Sequence, residues 1–304
     1  MILNYLIAFY KSNKFTILTR VKKRQTIFMK KIQTFHDAYN FADQIVQGEI
    51  EHFQLEPGAF YGELTQIISQ NVIVGVHNMN IPILQIGRSI KGYITFLIPR
   101  IEQNISWREF NINEKRIGIL KGGGNHFALT PSGFMGLPIS LSNDYLTELL
   151  RKYGNKERIY KLIHQSEVID LNAEDAFKIQ QKLIALNKAD KIDFDLMINE
   201  LPSLLLKSIL NVADQLPKKY STSKQILLNR ILIYIQENLN RRVNTLELSK
   251  VFKISERKLR YIFRESIGCS PMRYIKIIRL NKTRKDILYA KENIDINLVA
   301  HKWG

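Results

Sequence analysis

The spacing of apolar residues changes twice along this chain. In residues 35–47, FHDAYNFADQIVQ, Phe35, Tyr39, Ala42 and Ile45 fall on one side of a helix, so the spacing predicts an amphipathic helix there. Beyond Pro57-Gly58 the pattern shortens. Runs rich in isoleucine, valine and phenylalanine at 64–78, 81–87, 91–99, 116–124 and 126–141 are separated by turn residues, as in a β-sandwich or barrel. Helical spacing returns over 142–216, where Asn172-Ala173-Glu174-Asp175 offers a cap for the run that begins at Ala176. The polar, proline-bearing stretch 217–223 reads as a linker. From Lys224 onward three helices are predicted at 224–239, 245–252 and 255–266, with a short interruption at Lys253-Ile254.

These elements predict an α+β chain: a small β-rich N-terminal domain over 29–141, for sensing or docking, a helical middle over 142–216, and an all-α, homeodomain-like C-terminal domain over 224–304. A length of 304 residues suits two modest domains. Residues 1–28 begin with an apolar run too short to span a bilayer and continue through a cationic stretch free of acids. They are read as a loose or non-native extension, with Met29 as the expected start, and no membrane partner is expected. Forty-five lysines and arginines against 28 acids leave a charge of +17, which favours a polyanionic partner. The single Cys269 excludes an intrachain disulfide and fits a reducing, cytoplasmic setting.

The second and third C-terminal helices form the motif to which the charge belongs. Two short helices joined tightly are a helix-turn-helix. Asn244 with Glu247 fits a capping box, and Ser255 fits an N-cap. In the helix after Ser255, Leu259, Ile262 and Phe263 share an inward face, while Arg257, Tyr261 and Arg264 share another, flanked by Glu256, Lys258 and Arg260. Such an outer face suits a DNA groove, because arginine pairs with guanine edges or phosphate. Ser255, Glu256, Arg257, Lys258, Arg260, Tyr261 and Arg264 are the expected DNA-binding set. Leu248, Val251, Ile254, Leu259 and Phe263 are the expected core of the pair; Gly268 ends the recognition helix and Pro271 starts the next.

Residues 254–288, with Gly268, Ser270, Pro271, Tyr274, Arg279, Leu280, Arg284 and Leu288 at the characteristic places, resemble the core of the AraC/XylS family of transcriptional regulators. The resemblance implies double-stranded promoter DNA as a partner, with RNA polymerase, a small-molecule inducer and a second copy of the chain as further partners. It also implies a second helix-turn-helix beyond a connecting helix at 272–289. Residues 294–304 resemble the first helix of that second unit, with Ile296, Val299 and Ala300 in core positions and the chain truncated within it, so the last dozen residues are expected to fray. The N-terminal stretch 35–67 and residues 127–140 are similar to ethanolamine-operon-like members of the family, which implies an upstream sensor domain and dimer contacts through the helices of the middle segment, 142–216.

An enzyme is the competing class, since a β-rich barrel can be catalytic. His36, His52, His77, His126, His164 and His301 are scattered without metal-site spacing. Lys121–Asn125 lacks the ending of a phosphate loop, and Ser132 sits in no nucleophile elbow. No catalytic residue, metal or cofactor is therefore expected. The alternative binding role is an interaction protein that dimerises with a full-length regulator and titrates it.

Overall fold

The computed structural model describes residues 17–20, 27–100, 102–108, 110–153, 156–189, 193, 195–213, 223–290 and 295–303. The chain divides into two compact units, Met1–His52 with Gly58–Lys219, and Phe53–Pro57 with Tyr220–Gly304. The architecture is α+β, with strands concentrated in the first unit and helices alone in the C-terminal part of the second. Among the described residues, no helix is long and apolar enough to cross a membrane.

The first unit has two antiparallel sheets. One is built from β1 (Ile17–Arg20), β2 (Ile27–Phe35), β4 (Gly62–Ile68), β5 (Val72–Met79), β13 (Ile139–Ser142), β7 (Tyr93–Leu97), β10 (Arg116–Lys121) and β14 (Val168–Asp170), paired in that order, with β12 (Phe134–Gly136) also on β5. The other runs β3 (Gly48–Gln54), β6 (Ile83–Ser89), β11 (Asn125–Thr130), β8 (Ile105–Trp107) and β9 (Phe110–Ile112). Period-two alternation makes β5 serve two cores. Val72, Val74 and Val76 join a core shared with Leu146, Ile159, Ile179 and Leu205, whereas Met79, on the opposite face, packs with Phe41, Ile83 and Trp107.

The helices of residues 142–213 are thus the cover of the larger sheet. They are α2 (Asn143–Leu150), α3 (Lys156–Gln165), α4 (Ala173–Lys188) and α5 (Leu201–Leu210), the last entered through a π turn at Leu196–Glu200. A strand inside this stretch, β14, pairs with β10. The N-terminal helix α1 is shorter than its spacing suggests, Ala38–Asp43, because Phe35 ends β2 and Asp37 caps the helix from outside.

Part of the anticipated N-terminal extension is in the sheet: Ile17–Arg20 pairs antiparallel with Ile27–Lys30, and Met29 lies buried inside β2. Its remainder, 1–16 and 21–26, lies outside the described residues, as does the expected linker apart from Ser223. Ser223 opens α6 (Ser223–Glu237), which is followed by α7 (Thr245–Phe252), α8 (Glu256–Ile267), α9 (Pro271–Leu288) and α10 (Ile296–Trp303).

Candidate nucleic-acid interface

Residues 224–304 carry 18 lysines and arginines against 7 acids, so +11 of the chain's +17 sits in this last quarter. Its core comes from α6 (Leu228, Ile231, Ile235), α7 (Leu248), α8 (Leu259, Ile262, Phe263) and α9 (Tyr274, Ile275, Ile278), all buried. Phe263 packs edge-on against Tyr274 with ring centroids 5.7 Å apart.

Local signals set the ends of the helix pair. Asn244 accepts the Glu247 N–H at 2.9 Å, and Ser255 accepts the Lys258 N–H at 3.2 Å. Between the helices Lys253 takes a left-handed conformation, φ 52°, and Gly268 does the same at the end of α8, φ 78°. Ser270 caps α9, and the buried Pro271 occupies its first turn. A side chain with a Cβ is strained at Lys253. Lys253→Gly is therefore expected to stabilise the C-terminal unit by about 0.5–1 kcal/mol in urea unfolding followed by circular dichroism; a loss of stability instead would mean that the lysine side chain, not the backbone geometry, matters there.

The outer face of α8 is exposed at Arg257, Lys258, Arg260, Tyr261 and Arg264. Four members of the expected set are engaged within the unit: Ser255 as the cap of α8, and Glu256, Arg260 and Tyr261. Arg260 pairs with the half-buried Glu256 at 3.0 Å. Tyr261 shares Glu265 with Lys224, whose ammonium lies 5.5 Å from the tyrosine ring centroid. Hydrogen bonding to Glu265 raises the Tyr261 hydroxyl pKa, and hydrogen bonds from Lys224 and Tyr261 lower that of Glu265. Among the described residues, the side chains of Arg257, Lys258 and Arg264 have no ion pair. Arg257, Tyr261 and Arg264 lie within one stripe; Lys258 is about 100° around the helix from Arg257, on its flank.

Within the expected core, Leu248, Leu259 and Phe263 are fully buried and Ile254 is half-buried. Val251 is not part of it: the residue is 46% exposed. In so short a helix the inward stripe steps from Leu248 to Phe252, which packs on Tyr234 at 5.6 Å, and Val251 is turned off that stripe. Two supports were not apparent in sequence. Glu247 holds Arg241 at 2.6 Å and Tyr234 at 2.7 Å, tying α7 to α6, and hydrogen bonds from Arg241 and then Tyr234 hold its carboxyl below the usual range. Arg279 of α9 donates to the carbonyls of Leu239 and Arg241.

At α10, Val299 is buried, but Ile296 is 67% exposed and Ala300 is exposed as well. Instead of fraying, its end is held to α9, since Trp303 Nε1 and Lys302 Nζ both donate to Asp286 at 2.8 Å. Ile296, Ala300 and Trp303 stand at i, i+4 and i+7 on one stripe, and the start of that stripe is left uncovered among the described residues while its end is held.

Three of the six histidines, each read from the sequence as a surface or core residue, are core residues. His52, His77 and His126 all reach the interior of the N-terminal unit, each at least nine-tenths buried, with His52 stacked on Phe41 and His126 edge-on to Trp107 at 5.0 Å. Burial pushes the imidazole pKa of His77 down to about 4 and, with the nearby charge of Arg108 and then His77, that of His126 to about 3. Among the described residues, no group of three or more histidine, cysteine or carboxylate side chains is placed to hold a metal ion.

Residues 248–304 match the family model described as a helix-turn-helix domain. Over 72 residues the chain is 32% identical to the probable thc operon regulatory protein of Rhodococcus erythropolis; the match takes in 23% of this chain and 22% of that protein, so it spans about a fifth of the curated relative's length. Among solved structures, the chain is similar to the AraC-like transcriptional activator CuxR at 13% identity, covering 83% of this chain and 91% of that one with a TM-score of 0.40. It is also similar to ToxT from Vibrio cholerae at 14% identity, covering 77% and 90% with a TM-score of 0.34.

Proposed function

Residues 248–304 are a helix-turn-helix domain of the AraC/XylS type, and from that premise we propose that the chain is a cytoplasmic transcription regulator that binds promoter DNA under the control of its N-terminal unit. The observation that carries this reading is the exposed, cationic stripe of α8, standing on a buried apolar face and lying in the most basic quarter of the chain.

In this mechanism α8 enters the major groove with its N-terminal half toward the base edges. Arg257, unpaired and one residue into the helix, is the base reader. Lys258 and Arg264 neutralise phosphates, while Ser255 fixes where the helix starts. Tyr261 and Arg260 are held ready by Glu265 and Glu256, which must yield or rearrange as DNA arrives. The N-terminal unit senses a small molecule, a second copy of the chain supplies the other half-site, and the bound pair alters recruitment of RNA polymerase. The chemistry is binding and not catalysis.

Fluorescence anisotropy of the full chain with its own upstream DNA and a scrambled duplex tests this. Arg257→Ala is expected to weaken binding to the preferred duplex by about 1–3 kcal/mol, roughly 5- to 150-fold, while leaving the scrambled duplex little changed. Lys258→Ala is expected to weaken both alike and to reduce the salt slope by about one. Equal, salt-labile binding of the unaltered chain to both duplexes would contradict specific recognition and favour an interaction protein that titrates another regulator.

A further inference from the structure

A carboxylate on a helix that meets phosphate works against binding, yet Glu256 stands in the first turn of α8 and holds Arg260 one turn on, Nη2 to Oε2 at 3.0 Å. The helix dipole favours an acid near the N-terminus, but that needs no arginine. An exposed i,i+4 ion pair contributes little to stability, and the core beneath α8 is formed without it by Leu259, Ile262 and Phe263. What the pair does is fix a donor and an acceptor beside each other, on the half of a recognition helix that faces base edges.

At 3.6 residues per turn Glu256 lies about 100° from Arg257, on the flank opposite Lys258, and Arg260 lies on that same flank about 60° from Arg257. Neither side chain has another hydrogen bond among the described residues. The carboxylate therefore keeps lone pairs to accept with, and the guanidinium keeps N–H groups to donate.

In the major groove a G·C pair shows cytosine N4, a donor, next to guanine O6, an acceptor, the two joined at about 2.9 Å. The side-chain pair has the complementary groups at 3.0 Å. Laid against that edge, Glu256 accepts from N4 and Arg260 donates to O6, and each donor in the ring of four groups meets an acceptor. An A·T pair also has an amino group beside a keto oxygen, but thymine carries its methyl next to O4, whereas guanine carries a second acceptor, N7, next to O6. A spare N–H of Arg260 has a partner only at guanine. With the pair reversed, O6 faces the carboxylate and two acceptors oppose each other.

We propose that Glu256 and Arg260 act as one specificity-determining unit that reads a C·G base pair next to the position read by Arg257. Glu256 accepts from cytosine N4; Arg260 donates to guanine O6 and N7. The inference rests on the DNA-binding reading above and adds a named base pair to it. As DNA arrives the two side chains rearrange together and keep the bond between them, because breaking it would leave a carboxylate without its countercharge beside the phosphates.

The test selects preferred sites from duplexes of randomised sequence with the full chain, unaltered and as Glu256→Ala, Arg260→Ala and Arg257→Ala. The expected result is one C·G position that both Glu256→Ala and Arg260→Ala release to other bases, beside a position that only Arg257→Ala releases. A duplex with pyrimidin-2-one, which lacks the amino group, in place of that cytosine should bind the unaltered chain roughly 5- to 150-fold more weakly. Glu256→Ala should bind the two duplexes alike. A purely structural role for the pair would lower binding to all sequences and release no single position. The proposal is overturned if Glu256→Ala leaves every position as it was, if it releases all positions equally, or if the shared position is A·T. Should Glu256→Ala fail to fold, Arg260→Ala, whose side chain is 57% exposed, carries the same comparison. An unaltered chain that enriches no sequence contradicts the DNA-binding reading itself; enriched sites with no position that depends on Glu256 contradict this inference alone.

Discussion

Acidification from pH 7 to about 5 is expected to destabilise the N-terminal unit well before its carboxylates titrate. His77 and His126 are buried with their pKa values pushed down from the ordinary 6.5 to about 4 and about 3, chiefly by burial. Above pH 6.5 both folded and unfolded chains hold these imidazoles neutral, and the pair has no effect on stability. Below it the unfolded chain takes up protons that the folded chain refuses. Stability then falls by roughly 1.4 kcal/mol per pH unit for each histidine until the folded pKa is reached. For the pair this gives roughly 4 kcal/mol by about pH 5. His52, depressed by burial and by His77 and His126, acts in the same direction.

Urea unfolding followed by circular dichroism at several pH values resolves this, since the sensitive transition belongs to the N-terminal unit. His77→Gln and His126→Gln should each flatten the slope. A flat profile in the unaltered chain between pH 6.5 and 5 would show that these imidazoles are hydrated or protonated in the folded state.

The same histidines show which features were legible in sequence and which were not. The helix-turn-helix could be read because its determinants are local: Asn244 and Ser255 cap within three residues, Gly268 supplies its own left-handed turn, and the apolar stripe of α8 repeats at helical spacing. The sandwich could be read in its isoleucine- and valine-rich strands for the same reason. His52, His77 and His126 come together only because β3, β5 and β11 bring them there, and no spacing along the chain encodes that meeting.

Strand β2 was hidden for a related cause. It buries Lys30 and Lys31 and exposes Ile32, the reverse of an ordinary inward pattern. The Lys30 ammonium is satisfied by the carbonyls of Leu186 and Asn187, at 3.2 and 3.1 Å, and by that of Ala189, so a cation from one end of the unit closes the C-terminal end of α4, some 156 residues later in the sequence. Val251 failed differently: Val251 and Phe252, at i+3 and i+4 from the buried Leu248, compete for the next place on the inward stripe, and Phe252 takes it against Tyr234.

That last difference sets up the sharpest mutational contrast in the C-terminal unit. Phe263 is fully buried and meets Tyr274 edge-on, so Phe263→Ala removes a large side chain from a core with little else to close the gap. The expected loss is about 3–5 kcal/mol, against a stability of roughly 5–15 kcal/mol for a typical domain and less for a unit this small. The variant should lose α8 and its neighbours as helix in circular dichroism near room temperature. Binding should be lost to the scrambled duplex as well as to the specific one, because an unfolded basic segment no longer presents a stripe, while the transition of the N-terminal unit stays where it was. Val251→Ala, at an exposed position beside the same core, should change stability by no more than about 0.5 kcal/mol. If the two variants were equally damaging, Val251 would be facing inward and α7 would be rotated about its axis, which would also move Glu247 away from Tyr234 and Arg241 and release the α6 contact that positions the helix pair for DNA.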